Sequence, residues 1–364
     1  MTTQKNNYNY QIIKEECKKV IKEDNFPELK NKNILILGAN GLIGAFLADF
    51  FIFLNDSLNY NIKLTLSSYS ELSNAERLSH ISTHPDIKYF SWDCSKDLNH
   101  SLLPENIDMV FFCSGYGQPS KFLQDNIKTT LLNINGVNNL LSHLQESNKI
   151  TKFLFLSTSE IYGNALEYPT TENYPCSFDL NNNRISYILS KATAENLCMQ
   201  YNKLENLDVK IARIALAYGP GTKRNDNRVM QEFIFKASND GKIRMIDSGS
   251  AIRNYLYITD CVEIMLNILL RGKSEVYNIG GDTQEISIHD LACQVANIFE
   301  AKVEKGAEEN KNIKSAPKKV GLSMLKYRQE FKEYGKNIVK LEEGLKKVTQ
   351  WYNLHSVNRD TEKQ

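Results

Sequence analysis

Hydrophobic positions along the chain fall into two rhythms. Asn33-Ile34-Leu35-Ile36-Leu37 carries four apolar residues in an unbroken run, the pattern of a parallel strand buried on both faces. Similar short runs recur at Ile62 to Leu66, Met109 to Cys113, Lys152 to Leu156 and Val209 to Ala212, separated by amphipathic stretches. Strand alternating with helix predicts an α/β fold, a doubly wound parallel sheet with helices on both faces. Ahead of the first strand, Ile12, Ile13, Cys17, Val20 and Ile21 recur at helical spacing and predict a helix over Gln11 to Asp24, ended by Phe26-Pro27.

After Tyr218-Gly219-Pro220-Gly221 the rhythm changes to a charged loop (Lys223 to Arg228), a helix over Met230 to Ala237 and short strands near Ile243 and Tyr255. This predicts a smaller mixed α/β lobe on the C-terminal side. A polar tail over 351–364, frayed from Asn358, closes the pattern.

Composition narrows the classes without naming one. The 364 residues are 41% hydrophobic and 24% charged, a globular profile. The longest apolar run, Ala45 to Leu54, is interrupted by Asp49 and falls short of the roughly 20 residues that span a bilayer, so no membrane partner is expected. The first residues are polar rather than basic and then apolar, which leads to the expectation of a cytoplasmic protein. Seven scattered cysteines lack any C-x-x-C pair and read as core thiols. Lys and Arg number 44 against 43 Asp and Glu, so no nucleic-acid footprint exists. His80 and His84, four apart, lack a third ligand nearby, and no metal is expected.

Candidate chemistry changes the picture. Gly38-Ala39-Asn40-Gly41-Leu42-Ile43-Gly44 follows the first buried strand and opens an amphipathic helix. In that context, glycines allow a tight turn and close backbone approach to a pyrophosphate, which the helix N-terminus favours. The predicted cofactor contacts are Gly38, Asn40, Gly41, Leu42, Ile43 and Gly44. At the end of the second strand an Asp or Glu would select NAD; Ser67 and Ser68 stand there instead. These residues leave NAD versus NADP open, and Arg77, which could approach a 2′-phosphate, reads more simply as a solvated helix residue. Asp93 and Cys94, after the third strand, stand where adenine-edge contacts are expected.

A second cluster, Ser157-Thr158-Ser159-Glu160-Ile161-Tyr162-Gly163, ends the strand Lys152 to Leu156, on the side that lines the ligand crevice of such sheets. Downstream, Tyr187 and Lys191 lie four apart on a predicted helix, hence on one face. An ammonium close to a phenol lowers its pKa and makes Tyr187 a candidate base that takes a proton from a substrate hydroxyl.

With these motifs on the page, the chain from about Asn33 to Gly281 resembles the extended short-chain dehydrogenase/reductases, in the NAD-dependent epimerase/dehydratase group that remodels nucleotide sugars. The resemblance rests on GANGLIG (Gly38 to Gly44), Asn133 to Gly136, STSEIYG (Ser157 to Gly163), Tyr187 with Lys191, RIALAYGPG (Arg213 to Gly221), Asn227-Arg228-Val229 and Arg253 ahead of Tyr257 to Asp260. It implies a Rossmann domain over 31–217 with a returning strand near 255–280. It also implies a mainly substrate-binding lobe over 218–350, and leaves 1–30 as a helical extension. Thr158, Tyr187 and Lys191 would oxidise a sugar at C4, Arg228 and Arg253 would hold a nucleotide diphosphate, and Asn133 and Arg184 would line the substrate side.

Ser159 and Glu160 then set the fate of the 4-ketone. A carboxylate at Glu160 removing the C5 proton would expel water, making a 4,6-dehydratase. A sugar carboxylate on C5 would instead leave as carbon dioxide. Ser159 counts against the dTDP-glucose 4,6-dehydratases, which usually show Asp there, and Arg184 with Gly249 to Arg253 leans toward decarboxylases. Leu216 departs from the family, where many relatives have Asn. The alternatives are a 4-epimerase or 4-keto reductase, or a dinucleotide-binding sensor or scaffold without turnover. A homodimer built on the helix near Leu131 to Leu144 is the family-based expectation.

Overall fold

The structure is a computed structural model that describes residues 7–21, 26–72, 76–146, 149–204, 207–223, 226–281, 285–306, 316–332 and 338–360. In chain order the strands are β1 (Asn33–Leu37), β2 (Lys63–Ser68), β3 (Ile87–Ser91), β4 (Met109–Phe112), β5 (Thr151–Thr158) and β6 (Leu207–Ile214). They continue as β7 (Leu216–Tyr218), β8 (Lys242–Arg244), β9 (Ile252–Tyr257), β10 (Val276–Ile279), β11 (Glu285–Ser287) and β12 (Lys302–Glu304). The helices are α1 (Asn7–Val20), α2 (Leu42–Leu58), α3 (Pro119–Gln124), α4 (Asn126–Gln145) and α5 (Ile185–Tyr201). After them come α6 (Val229–Asp240), α7 (Ile258–Arg271), α8 (Ile288–Phe299), α9 (Leu325–Glu330) and α10 (Leu341–Asp360).

Seven strands form one sheet in the order β10-β6-β5-β4-β1-β2-β3, every pair parallel. Alternation along each strand sends side chains to opposite faces. Ile34, Ile36, Phe111 and Leu154 enter the core under α2 and α7, while Leu35, Leu37, Phe112, Phe153 and Phe155 enter the core under α4 and α5. A strand buried on both faces has no polar position to offer, which is why the sheet reads as apolar runs. The order reverses at β1, whose neighbours are β2 and β4, and that reversal opens a crevice at the carboxyl ends of β1 and β4. The doubly wound Rossmann fold is therefore present as expected.

The smaller lobe holds a three-stranded sheet, β11-β9-β7, and a parallel pair, β12-β8. In the first, β7 runs parallel to β9, with Leu216 beside Tyr255, and β11 runs antiparallel. Helices α6 and α8 pack together beside these strands. The chain does not stay in the lobe: β10 returns to pair with β6, Val276 beside Ile211.

The ends bear on two expectations. The N-terminal helix expected over Gln11 to Asp24 runs Asn7–Val20, residues 22–24 of that expectation lying outside the described residues, and Ile12, Ile13, Cys17 and Val20 bury it against α2, α7 and α10. The polar tail expected from 351 begins inside α10, where Trp351 and Tyr352 are buried; the Trp351 indole N–H donates to the Thr222 carbonyl at 3.3 Å. Residues 361–364 lie outside the described residues. Among the described residues no helix is long and apolar enough to cross a membrane.

Candidate functional site

Strand β1 delivers the chain into the turn 38–41 and then into α2, whose N-cap is Gly41 without any side-chain cap. The first N–H groups of α2 are therefore available to an anion. Gly38 has φ +78°, and a Cβ there would stand 2.7 Å from the Cys113 carbonyl. A Cβ on Gly44 would stand 2.5 Å from Gly38 O. The turn is thus pressed against the end of β4 and against its own helix, a packing open only to glycine.

Across the crevice, β5 ends at Thr158, and a short 3-10 turn (Ser159–Tyr162) projects Glu160. The Glu160 N–H donates to the Thr158 hydroxyl at 3.2 Å. Helix α5 presents Tyr187 and Lys191 to the same wall, both buried, and the Thr158 hydroxyl is hydrogen-bonded to the Tyr187 phenol. A cavity of about 660 Å³ joins these parts. Its lining includes Gly38, Asn40, Gly41, Leu42, Ile43, Gly44, Thr158, Ser159, Glu160, Arg184, Tyr187, Lys191, Arg228 and Arg253. Motifs far apart in the sequence thus meet in one space.

The electrostatics differ from the sequence expectation at Tyr187. Lys191 donates to the Leu156 carbonyl at 2.9 Å and sits 4.7 Å over the Phe155 ring. The Tyr187 phenol is pushed above its usual range by burial and by the Glu160 charge, against the opposing Thr158 hydrogen bond and Arg184. The charges that act on Tyr187 are those of Glu160 and Arg184 rather than that of Lys191, whose ammonium lies against a carbonyl and a ring face. Burial in turn lowers Lys191 to about 8.

Glu160 is clasped by Arg184: Arg184 Nε donates to Oε2 at 2.8 Å, and Nη2 donates to Oε1. The same guanidinium lies 4.8 Å over the Phe122 ring, and Phe122 stacks on Tyr187 with centroids 4.5 Å apart and planes 5° off parallel. A layered stack of Arg184, Phe122 and Tyr187 therefore holds both chemical groups. Phe122 was not legible in the sequence, since the six-residue α3 is too short to show periodicity.

Asn133 is fully buried, donating to Ser190 Oγ at 2.9 Å and to the Thr129 carbonyl at 3.1 Å. Its Oδ1 has no partner. A Cβ built on Gly115 would lie 3.5 Å from that oxygen and 3.3 Å from Lys191 Nζ, so Asn133 and Lys191 converge behind the cavity. Asn40 Oδ1 and Gln118 Oε1, on cavity-lining residues, are likewise buried without partners.

The remaining predicted contacts stand apart from the cavity lining. The Ser67 carbonyl accepts from the Gly38 and Ala39 N–H groups at 2.9 and 3.0 Å, bracing the glycine turn. Ser68 Oγ meets the Tyr89 hydroxyl at 2.5 Å. Asp93 pairs with Lys128 at 2.9 Å, and Cys94 is buried with its Sγ 3.4 Å from Ser114 Oγ. Arg77 does not reach toward a cofactor. It is buried against Asp49, its Nη2 donating to Oδ2 at 2.5 Å, because α2 buries a carboxylate that needs a counter-charge. His80 takes the other Asp49 oxygen at 2.6 Å, and His84 faces Asp56 at 3.2 Å. Among the described residues no three His, Cys, Asp or Glu gather as a metal site needs.

At the far end, Arg228 is fixed by Asp226, with its Nη2 donating at 2.6 Å, and by the Ala217 carbonyl of β7 at 3.2 Å. Arg253 projects from β9 and donates to the Ile252 carbonyl at 2.8 Å.

Residues 34–280 match the model of the NAD dependent epimerase/dehydratase family. A dTDP-D-glucose 4,6-dehydratase of Dictyostelium discoideum is 32% identical over 285 residues, covering 76% of this chain and 64% of that protein. UDP-glucuronic acid decarboxylase 1 of Arabidopsis thaliana is 26% identical over 271 residues, covering 74% and 59%. The chain spans about half to two thirds of the length of these and similar curated relatives. Among solved structures, the NAD complex of dTDP-glucose 4,6-dehydratase from Bacillus anthracis superposes with TM-score 0.72 at 22% identity, covering 88% of this chain and 96% of that one.

Proposed function

The chain belongs to the NAD dependent epimerase/dehydratase family, and on that footing we propose that it is an NAD-dependent lyase of nucleotide sugars that oxidises the sugar at C4 and then expels a group from C5 or C6. The glycine cradle and the unpartnered oxygens of Asn40 and Gln118 fit a dinucleotide. Gly38, Gly41, Leu42, Ile43 and Gly44 would hold its pyrophosphate, Asn40 Oδ1 would accept from a cofactor donor such as a ribose hydroxyl, Ser67, Ser68, Asp93 and Cys94 would lie toward its adenosine end, and no carboxylate at the end of β2 excludes NADP. When bound, the cofactor supplies the hydride acceptor for C4.

The chain's own residues do the proton work. Tyr187, hydrogen-bonded to Thr158, faces the C4 hydroxyl and receives its proton, then returns it when the carbonyl is reduced. Its raised pKa makes the protonated phenol the resting form, so the oxidation step is the one that needs Lys191. Moving the ammonium from Leu156 O toward Tyr187 would stabilise phenolate.

Arg184 on Glu160 is the observation that separates the leaving groups. A base must offer a lone pair to the C5 proton, and Arg184 already engages one lone pair on each Glu160 oxygen and holds the carboxylate turned toward itself. A 4-keto uronate needs no base: the C5–C6 bond breaks, carbon dioxide leaves, and the electron pair flows into the 4-carbonyl as an enolate that is protonated at C5. A carboxylate already neutralised by Arg184 also tolerates an anionic sugar beside it. Decarboxylation is the first reading. Dehydration is the second, favoured by the placement of Glu160 in the wall beside Tyr187. Arg228 and Arg253 would hold the diphosphate, and Asn133 would support Lys191 and the substrate side. In localisation the reading is cytoplasmic, and in assembly a homodimer.

Incubation with UDP-glucuronate, and with UDP-, GDP-, CDP- and dTDP-hexoses, tests this. Carbon dioxide release is the expected result, a 4-keto-6-deoxy product supports dehydration, and an isomeric mixture overturns both in favour of an epimerase. Tyr187→Phe is expected to lower turnover at least a thousandfold, about the upper part of the general acid–base range, with cofactor binding retained. An unchanged rate removes Tyr187 from the mechanism.

A further inference from the structure

Helix α3 has six residues and buries one of them, Phe122, which is 2% exposed. The backbone there is tied at both ends: the Phe122 N–H donates to the Gln118 carbonyl at 3.3 Å, and the Phe122 carbonyl accepts from the Thr129 hydroxyl of α4 at 3.3 Å. The side chain lines the cavity and packs with Tyr187 and Ile188 in a small cluster of its own, a satellite of the two cores that flank the main sheet. A ring packed flat on a second ring cannot tilt without opening a gap in a close-packed wall. The parallel stack on Tyr187 therefore fixes the direction in which the phenol hydroxyl points. The same face keeps water from the phenol, whose proton is held chiefly by burial. The charged groups that act on that phenol are Glu160 and Arg184, and the Arg184 guanidinium rests over the Phe122 ring.

We propose that Phe122 is a positioning residue for proton transfer, its ring aiming the Tyr187 hydroxyl and seating the Arg184 guanidinium on Glu160. Phe122 has no group that exchanges a proton and acts through these two neighbours. One apolar side chain thus governs both the path of the proton at Tyr187 and the state of the carboxylate beside it. The inference rests on the reading of Tyr187 as the proton carrier at C4 and deepens it.

Phe122→Leu removes the flat face and keeps an apolar side chain, whereas Phe122→Tyr keeps the face. Both variants and the native protein are labelled with carbon-13 at the tyrosine Cζ and titrated by NMR over roughly pH 7 to 11, around the ordinary tyrosine value; Tyr187→Phe identifies the Tyr187 signal. Native Tyr187 is expected to keep its proton across that range, and Tyr187 in Phe122→Leu to begin losing it as water reaches the phenol. With whichever sugar nucleotide the native protein converts, Phe122→Leu is expected to lower kcat about tenfold to a hundredfold, the scale of a small misplacement of a reacting group. Its KM and NAD affinity are expected to hold, and Phe122→Tyr is expected to recover most of the loss. Identical titration of Tyr187 in native protein and Phe122→Leu, or an unchanged kcat, overturns the proposal. Equal losses in the two variants, with a lower melting temperature and no change in titration, assign the ring to packing alone and overturn it as well. No turnover of any sugar nucleotide by the native protein overturns the nucleotide-sugar reading, while the titration alone then decides for or against Phe122.

Discussion

At Gly38 the backbone turns with φ +78° while the carbonyl of Cys113 stands where a side chain would begin. Gly38→Ala therefore meets backbone rather than a movable side chain and adds strain in a left-handed conformation. We expect a loss of about 2 kcal/mol or more in stability and loss of NAD binding, read by chemical denaturation and by titration; native-like affinity would mean that the turn is not the cradle. Such glycines are legible in sequence because backbone geometry admits no substitute. The Tyr187 and Lys191 pair shows the other case. Their four-residue spacing fixes a shared helix face, yet the partner of the Lys191 ammonium is decided by the Leu156 carbonyl and the Phe155 ring, which belong to a strand well upstream. Arg77 repeats the lesson: the buried Asp49 that claims it is a single polar residue inside an apolar run, and its need for a counter-charge is visible only once α2 is packed.

Helix α5 owes its position to more than its apolar face. Glu195, one turn beyond Lys191, is buried and accepts from Ser157 Oγ of β5 at 2.5 Å and from Arg213 of β6, whose Nη2 donates at 2.8 Å. Arg213 also donates to the Tyr162 hydroxyl at 2.9 Å, and Tyr162 donates to Asn278 of β10 at 2.7 Å. The network ties the helix that carries Tyr187 and Lys191 to three adjacent strands. Removing one member of such a buried pair strands the other charge, so Glu195→Ala is expected to cost about 3–5 kcal/mol. Glu195→Gln, which keeps the shape and one acceptor, is expected to cost less, as urea denaturation would measure; equal costs would argue that packing rather than charge pairing matters here. Elements of this kind divide by legibility. The buried strands β1, β4 and β5 announce themselves as apolar runs, whereas α3 has six residues and β8, β11 and β12 three each, too few for any period to emerge.

For the molecule as a whole, the seam between α7 and the C-terminal segment contains a titrating group. Asp260 is buried, accepts from the Val339 N–H at 2.9 Å, and is raised by burial to about 7 from the ordinary carboxylate value, against that hydrogen bond. A folded-state pKa above the unfolded one means the native protein holds the proton more tightly. The contribution is fully present below the unfolded value, near 4, and is lost as pH rises through about 7. Relative to Asp260→Asn, the native protein is expected to lose on the order of a few kcal/mol between those limits. Melting temperatures of the two proteins at pH 5 and pH 7.5 check this; parallel curves would remove Asp260 as the cause.

The burial of α1 has a consequence for how the chain is made. Its apolar face is covered by α2, by α7 and by α10, and Tyr257 donates to its Glu16 at 3.0 Å across 241 residues. Of these partners only α2 is synthesised early. During translation the face carrying Ile12, Ile13, Cys17 and Val20 has only α2 to cover it until α7 has left the ribosome, about 250 residues later and, at roughly 5–20 residues per second, tens of seconds. The nascent chain therefore passes through a long interval with a sticky N-terminal helix and an unfinished sheet, and its yield in a cell depends on what shields that helix while the last strand is still being made.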